Sequence, residues 1–392
     1  MLNHTRIVTT FVPGTNHMAR ALLLPYRLLF PLAALFALVA IPLWLVIRRM
    51  HPAITGIDWH GHEMLFGYAL AVIAGFLATR ATHAVSWVLA GTWLGARIAV
   101  ATGSGPAALI AGISFPVVVF LVAAPPLIAG AKRRENRILP AILTALIAAD
   151  AAWWAGKVWF GPAVQTHVLL AAIDLVALLL LLIGGRALRV AAGGHLERQG
   201  IARQDYMQGR YELPLAAFAG GAAIADAIAL ETAAGILCLG AAMLALARVL
   251  PWQLHRALSV PQLWALALGY LWLVPGLALK GIAQLVENLP VTGMLHGIGI
   301  GALGTLTLVM MARTATLRAR RPITDFGDIG VAALLVSAAA LSRLLASCIP
   351  AAQNQLLWLA AATWSGAFLI LLVRLWRTAL PDHSGETIEM DT

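Results

Sequence analysis

Charge is what this sequence has least of. Only 11% of its 392 residues are Asp, Glu, Lys or Arg, against 61% hydrophobic, and the mean hydropathy is +0.85. A soluble domain of this length needs far more charged surface, so the composition points instead to many membrane-spanning helices. Cysteine is nearly absent. Cys238 and Cys348 both lie in apolar surroundings and no Cys-x-x-Cys occurs, which argues against a disulfide framework and a thiolate metal site. The first twenty residues lack an apolar h-region with a cleavage site, so the first apolar run reads as a retained span. The net charge of +10 would suggest nucleic acid in a soluble protein. Here the basic residues sit between apolar runs, where they set orientation, and no nucleic-acid partner is expected.

What is present is a series of long apolar runs. Segments of about 20 residues fall at 27–47, 63–80, 84–102, 107–130, 138–158, 163–183, 213–231, 233–250, 260–280, 291–313, 329–347 and 353–375. They predict an all-α polytopic membrane protein, a bundle of about twelve transmembrane helices within a lipid bilayer. The pair 213–231 and 233–250 is separated by only a tight turn near Glu231-Thr232. A polar, basic loop over 184–212 divides the membrane domain, 27–378, into two six-span halves. Segments 1–26 and 379–392 flank it. Of the 27 Lys and Arg, 21 fall on the segments of one side and 5 on the other. That asymmetry puts both termini, and the 184–212 loop, in the cytoplasm.

This topology sorts the histidines. Trp59-His60-Gly61-His62-Glu63-Met64 stands at the outer mouth of the second span, and imidazoles and a carboxylate at a helix end in hydrocarbon are a candidate functional site. His296 opens the tenth span from the same side, His167 opens the sixth, and Arg97 lies within two turns of the outer end of the third. His60, His62 and His296 are candidate metal or haem ligands, because neutral imidazole is the commonest such ligand. A copper ion would also accept His with Met64 in support. Gly67, Ala71 and Gly75, and Gly293, Gly297 and Gly301, form small-residue faces that would let a planar cofactor approach. The same faces also suit plain helix packing. Likewise, Trp59 could be an interface anchor, and Glu63 a favourable charge at a helix N-terminus.

Residues 59–67 with Ala74-Gly75-Phe76-Leu77, and His296 with Gly301-Ala302-Leu303-Gly304-Thr305-Leu306-Thr307-Leu308 and Met311-Ala312-Arg313, resemble the signature of the NnrS family. Glu135-Asn136-Arg137, Gly184-Gly185-Arg186 and Pro261-Gln262-Leu263-Trp264 with Gly269-Tyr270 follow in the expected order. The resemblance spans roughly residues 20–378. It implies a bacterial inner-membrane protein of the nitric oxide response that contains haem, here haem b, and copper, and draws on an electron donor. It leaves open whether nitric oxide is bound or reduced. On this reading His62 and His296 are ligands, His60 a second ligand or distal group, and Glu63 orients an imidazole. Arg97 pairs with a haem propionate, while Asp150 and Asp174 relay protons. The sequence departs from the pattern at Leu188-Arg189 and Ala191-Ala192, and at Ala267 and Arg318, where histidines are expected. Fewer haem or metal equivalents are therefore expected than in members that have them. The competing reading is a cofactor-free twelve-span secondary transporter, in which the aspartates, Arg97, Lys280 and Glu287 handle coupling ions or an anionic substrate.

Overall fold

Proline starts several of the long helices. Pro25, Pro106, Pro162 and Pro261 each stand at the first position, where the missing N–H would have had no partner anyway. The computed structural model describes residues 24–50, 57–78, 81–103, 105–129, 138–201, 209–323 and 325–380. The expectations for Glu135-Asn136-Arg137 and for most of the two terminal segments lie outside them. Among the described residues there is no strand.

Among the described residues twelve long helical runs result: α1 Pro25–Met50, α2 57–77, α3 His83–Thr102, α4 Pro106–Ala129, α5 Ile138–Phe160, α6 Pro162–Arg198, α7 Gly209–Ala227, α8 Glu231–Val249, α9 Pro261–Leu285, α10 Val291–Arg318, α11 Gly327–Cys348 and α12 Gln353–Ala379. Ten of the runs are long and apolar enough to cross a membrane. The other two, α2 and α7, carry ionisable side chains that the bundle buries, among them His62, Glu63, Glu212 and Asp226. The fold is thus an all-α polytopic membrane protein. Large apolar side chains such as Leu35, Ile110, Ile224, Met243 and Trp376 are exposed around it, as a lipid-facing surface requires.

Two boundaries differ from the sequence reading. The stretch 184–212 is not all loop, because α6 continues to Arg198. Leu188, Ala192 and Leu196 recur every four residues and are buried, so this basic stretch keeps one apolar face on the bundle. Arg186 then forks onto Glu212 of α7, with Nε donating to Oε1 at 2.8 Å and Nη2 to Oε2 at 2.7 Å. The turn between α7 and α8 lies at 228–230, where Ala229 has φ 59°. Pro275 leaves the carbonyl of Leu271 without its helical donor, and α9 breaks nearby at Trp272. The ends of the chain's fold meet: Trp364 Nε1 of α12 donates to the Ala37 carbonyl of α1 at 2.8 Å.

Candidate functional site

Helices α2 and α10 carry the histidines, and both widen just after them. Glu63–Ala69 and Gly297–Gly304 are π-helical, a local insertion that shifts every following side chain around the axis and often marks functional positions. Trp93 of α3 fastens the first of these segments by donating its Nε1 to the Gly67 carbonyl at 2.7 Å. Tyr68 Oη and Thr307 Oγ1, 2.5 Å apart, join α2 to α10.

Between these helices lies a cavity of about 430 Å³, within the usual range for a cofactor or small-molecule site. Its walls are mostly apolar, with Ile41, Leu45, Ile173, Leu303 and Trp364 among them, and Met64 is also part of the lining. His60 and His296 both line it. Their rings are nearly parallel, at 7° with centroids 6.1 Å apart, and Trp44 stacks against His60 at 4.6 Å. His296 Nδ1 lies 3.1 Å from the Gly293 carbonyl. A carbonyl only accepts, so Nδ1 carries the proton and Nε2 is the nitrogen with a free lone pair. His60 Nδ1 is buried with no hydrogen-bond partner.

His62 is placed differently. Two residues along a helix is about 200° of rotation, which carries its ring away from that of His60. Its Nε2 lies 2.6 Å from Asp150 Oδ1 and its Nδ1 3.1 Å from Glu63 Oε1, and the ring packs on Trp153 at 3.9 Å. Glu63 Oε1 also accepts from Arg97 Nη1 at 2.8 Å. An ionised carboxylate only accepts, so both imidazole contacts are hydrogen bonds only if the cluster holds one proton beyond a neutral imidazole and two carboxylates. With that proton, Asp150, His62, Glu63 and Arg97 form a buried group of zero net charge. Both His62 nitrogens are engaged, and Arg97 is paired with Glu63, so neither matches the ligand and propionate roles expected for it. Trp59 packs beside Trp153 and Trp154 rather than lining the cavity.

Gly297 and Gly301 likewise serve packing. A Cβ on Gly297 would lie 2.8 Å from the Gly276 Cα of α9, and one on Gly301 would lie 2.5 Å from the Trp272 ring. The glycines that line the cavity are Gly61 and Gly299. His167 does not line it. Among the described residues no three or more His, Cys, Asp or Glu gather as a metal cage, so His60, His62 and His296 do not form one site together. Sequence reasoning missed Arg343, Trp44 and Trp364 on the cavity wall. Ala267 and Arg318, where histidines were expected, are both helical; Ala267 is buried in α9 and Arg318 stacks over the Tyr26 ring at 4.9 Å.

A second buried polar cluster lies apart from the cavity. Lys280 Nζ donates to Asp226 Oδ2 at 2.6 Å and to Asp174 Oδ2 at 2.9 Å, and all three side chains are fully buried. Gln284 Nε2 donates to the other oxygen of Asp226 at 2.5 Å.

No curated protein matches this chain. A family described as NnrS protein matches residues 20–381, which include both histidine-bearing helices and every residue of the two clusters. With a match over nearly the whole chain, this multi-pass membrane protein belongs to the NnrS family.

Proposed function

We propose that this protein binds haem b between His60 and His296 in the bacterial inner membrane and handles nitric oxide there, as part of a nitrosative-stress response. The observation that carries the reading is the parallel His60–His296 pair beside an apolar cavity. Both imidazoles, as stacked rings 6.1 Å apart, line the cavity that would hold the group. The donor set fits: His296 presents Nε2 because Gly293 fixes its tautomer, and Trp44 holds the His60 ring from one side. Haem iron bound there would supply the centre that binds or reduces nitric oxide. The chain's own part is to hold the two imidazoles, keep water out with apolar walls, and leave a path through lipid for a small apolar gas. Reduction would draw electrons from a donor outside this chain. Copper is the other candidate for the same nitrogens, with the Met64 thioether on the cavity wall. The basic-residue asymmetry supports a cavity facing the periplasmic side.

The test is an absorption spectrum with metal analysis of protein purified after haem-replete expression. His60→Ala and His296→Ala should each abolish or strongly shift the Soret band. The double variant should look no worse than the worse single one, because residues serving one site are not additive. A colourless, metal-free protein overturns the reading.

A second reading, a secondary transporter without cofactor, rests on the Lys280–Asp174–Asp226 cluster. Buried ionisable groups inside membrane helices are typical of ion pathways. Proton- or ion-driven uptake into vesicles that is lost in Asp226→Asn, by a protein that binds no haem, would favour it.

A further inference from the structure

The cavity has a charged mouth. A smaller chamber of about 200 Å³ adjoins it and shares His60, His296, Trp44, Thr292 and Arg343 with it. Among the described residues Arg343 is the only Lys, Arg, Asp or Glu lining the larger chamber, and Arg48 joins it in the smaller one. Among the described residues no carboxylate lines either chamber. Arg343 Nη1 donates to the neutral Ser347 Oγ at 2.6 Å, and Arg48 lies over the Trp44 ring at 5.1 Å. Among the described residues neither makes an ion pair. Arg97, by contrast, is neutralised by Glu63 at 2.8 Å.

Two guanidiniums that converge on one partly enclosed space repel each other, and among the described residues no carboxylate neutralises either. An anion between them satisfies both, and guanidinium is matched to carboxylate geometry. The two chambers together therefore have the shape and polarity of one amphipathic ligand. An apolar body fills the larger, and anionic groups reach the arginines at the smaller.

We infer that Arg343 and Arg48 form a carboxylate seat at the mouth of the His60–His296 cavity. They hold the acidic side chains of the cofactor and set its orientation. The inference rests on the haem reading above, in which those acids are the two propionates.

The test compares iron protoporphyrin IX with its propionate dimethyl ester, each titrated into haem-free full-length protein in detergent and followed by the Soret band. The native chain should bind the diacid at least about tenfold more tightly than the diester, since hydrogen bonds to charged groups are worth that much. Arg343→Gln, and more fully Arg48→Gln with Arg343→Gln, should lose that preference while keeping the native affinity for the ester. Unchanged ester binding also shows that the variants are folded. If the native chain binds both forms equally, the seat is overturned and the haem reading stands. If neither form binds, the haem reading itself fails and the inference with it. A preference present in zwitterionic lipid but abolished by phosphatidylglycerol would assign the arginines to a lipid phosphate and overturn the cofactor assignment.

Discussion

His62 Nε2 and Asp150 Oδ1 stand 2.6 Å apart, 88 residues apart in the chain, and both side chains are buried. That contact ties α2 to α5 and, through Glu63, to Arg97 on α3. It separates His62 in role from His60, its neighbour two positions earlier.

The first prediction follows from that separation. His62→Gln should leave the Soret band close to native in position, whereas His60→Ala should not. Asp150→Ala should lower stability by about 3–5 kcal/mol, the usual cost of breaking a buried charged pair by removing one partner. Thermal melts in detergent and absorption spectra of the three variants check both parts. Loss of the Soret band in a folded His62→Gln protein would return His62 to the ligand set.

The glycines give a second contrast. At Gly297 an added Cβ meets the Gly276 backbone at 2.8 Å, and backbone cannot swing aside. Gly297→Ala should therefore destabilise by about 1–3 kcal/mol, as overpacking does. At Gly299 the nearest atom would be Ile173 Cδ1 at 3.9 Å, so Gly299→Ala should melt like the native protein. Because Gly299 lines the cavity, its alanine variant should still weaken haem binding by the volume it removes. Melting temperatures and haem titrations separate the two effects.

These contrasts show what the sequence discloses and what it does not. Long apolar runs separate the helices well, and the basic asymmetry puts His60 and His296 at one end of the bundle, where they meet. Which imidazole turns inward is a matter of rotation about the helix axis. The π-helical segments after His62 and His296 change that rotation without any marker in the residues. The small-residue stripes are ambiguous by nature, since close approach of a helix and of a cofactor demand the same glycines. Gly297 and Gly301 went to helices, Gly61 and Gly299 to the cavity. Arg343 escaped notice because charge counting credits it to the outer side's total, although it lies within the eleventh run and inside α11. A lone arginine within an otherwise apolar span was the available signal.

Orientation supplies a third prediction. The 21-to-5 distribution of Lys and Arg predicts both termini in the cytoplasm and the cavity's mouth on the periplasmic side. A phosphatase fused after Thr392 should be inactive, and a fluorescent protein fused there should fold and emit. The reverse pattern would move the cavity to the cytoplasmic face.

The last prediction concerns Lys280. Its ammonium donates to Asp174 and Asp226 from a site with no exposed side-chain surface. Ionised throughout, the three groups would leave one uncompensated negative charge in hydrocarbon, so the fully ionised cluster is the costly state and a shared proton relieves it. Removing the lysine alone leaves two carboxylates facing each other, and Lys280→Met should destabilise by about 3–5 kcal/mol. Neutralising the carboxylates as well, with Asp174→Asn and Asp226→Asn, should recover most of that loss, because no buried charge remains unpaired. Haem content in the triple variant should match native protein if the cluster serves stability alone. The same variant should abolish ion-coupled transport if the transporter reading is right. A triple variant no more stable than Lys280→Met would show that the hydrogen-bonded ion cluster itself, rather than the avoidance of lone charge, holds α6, α7 and α9 together.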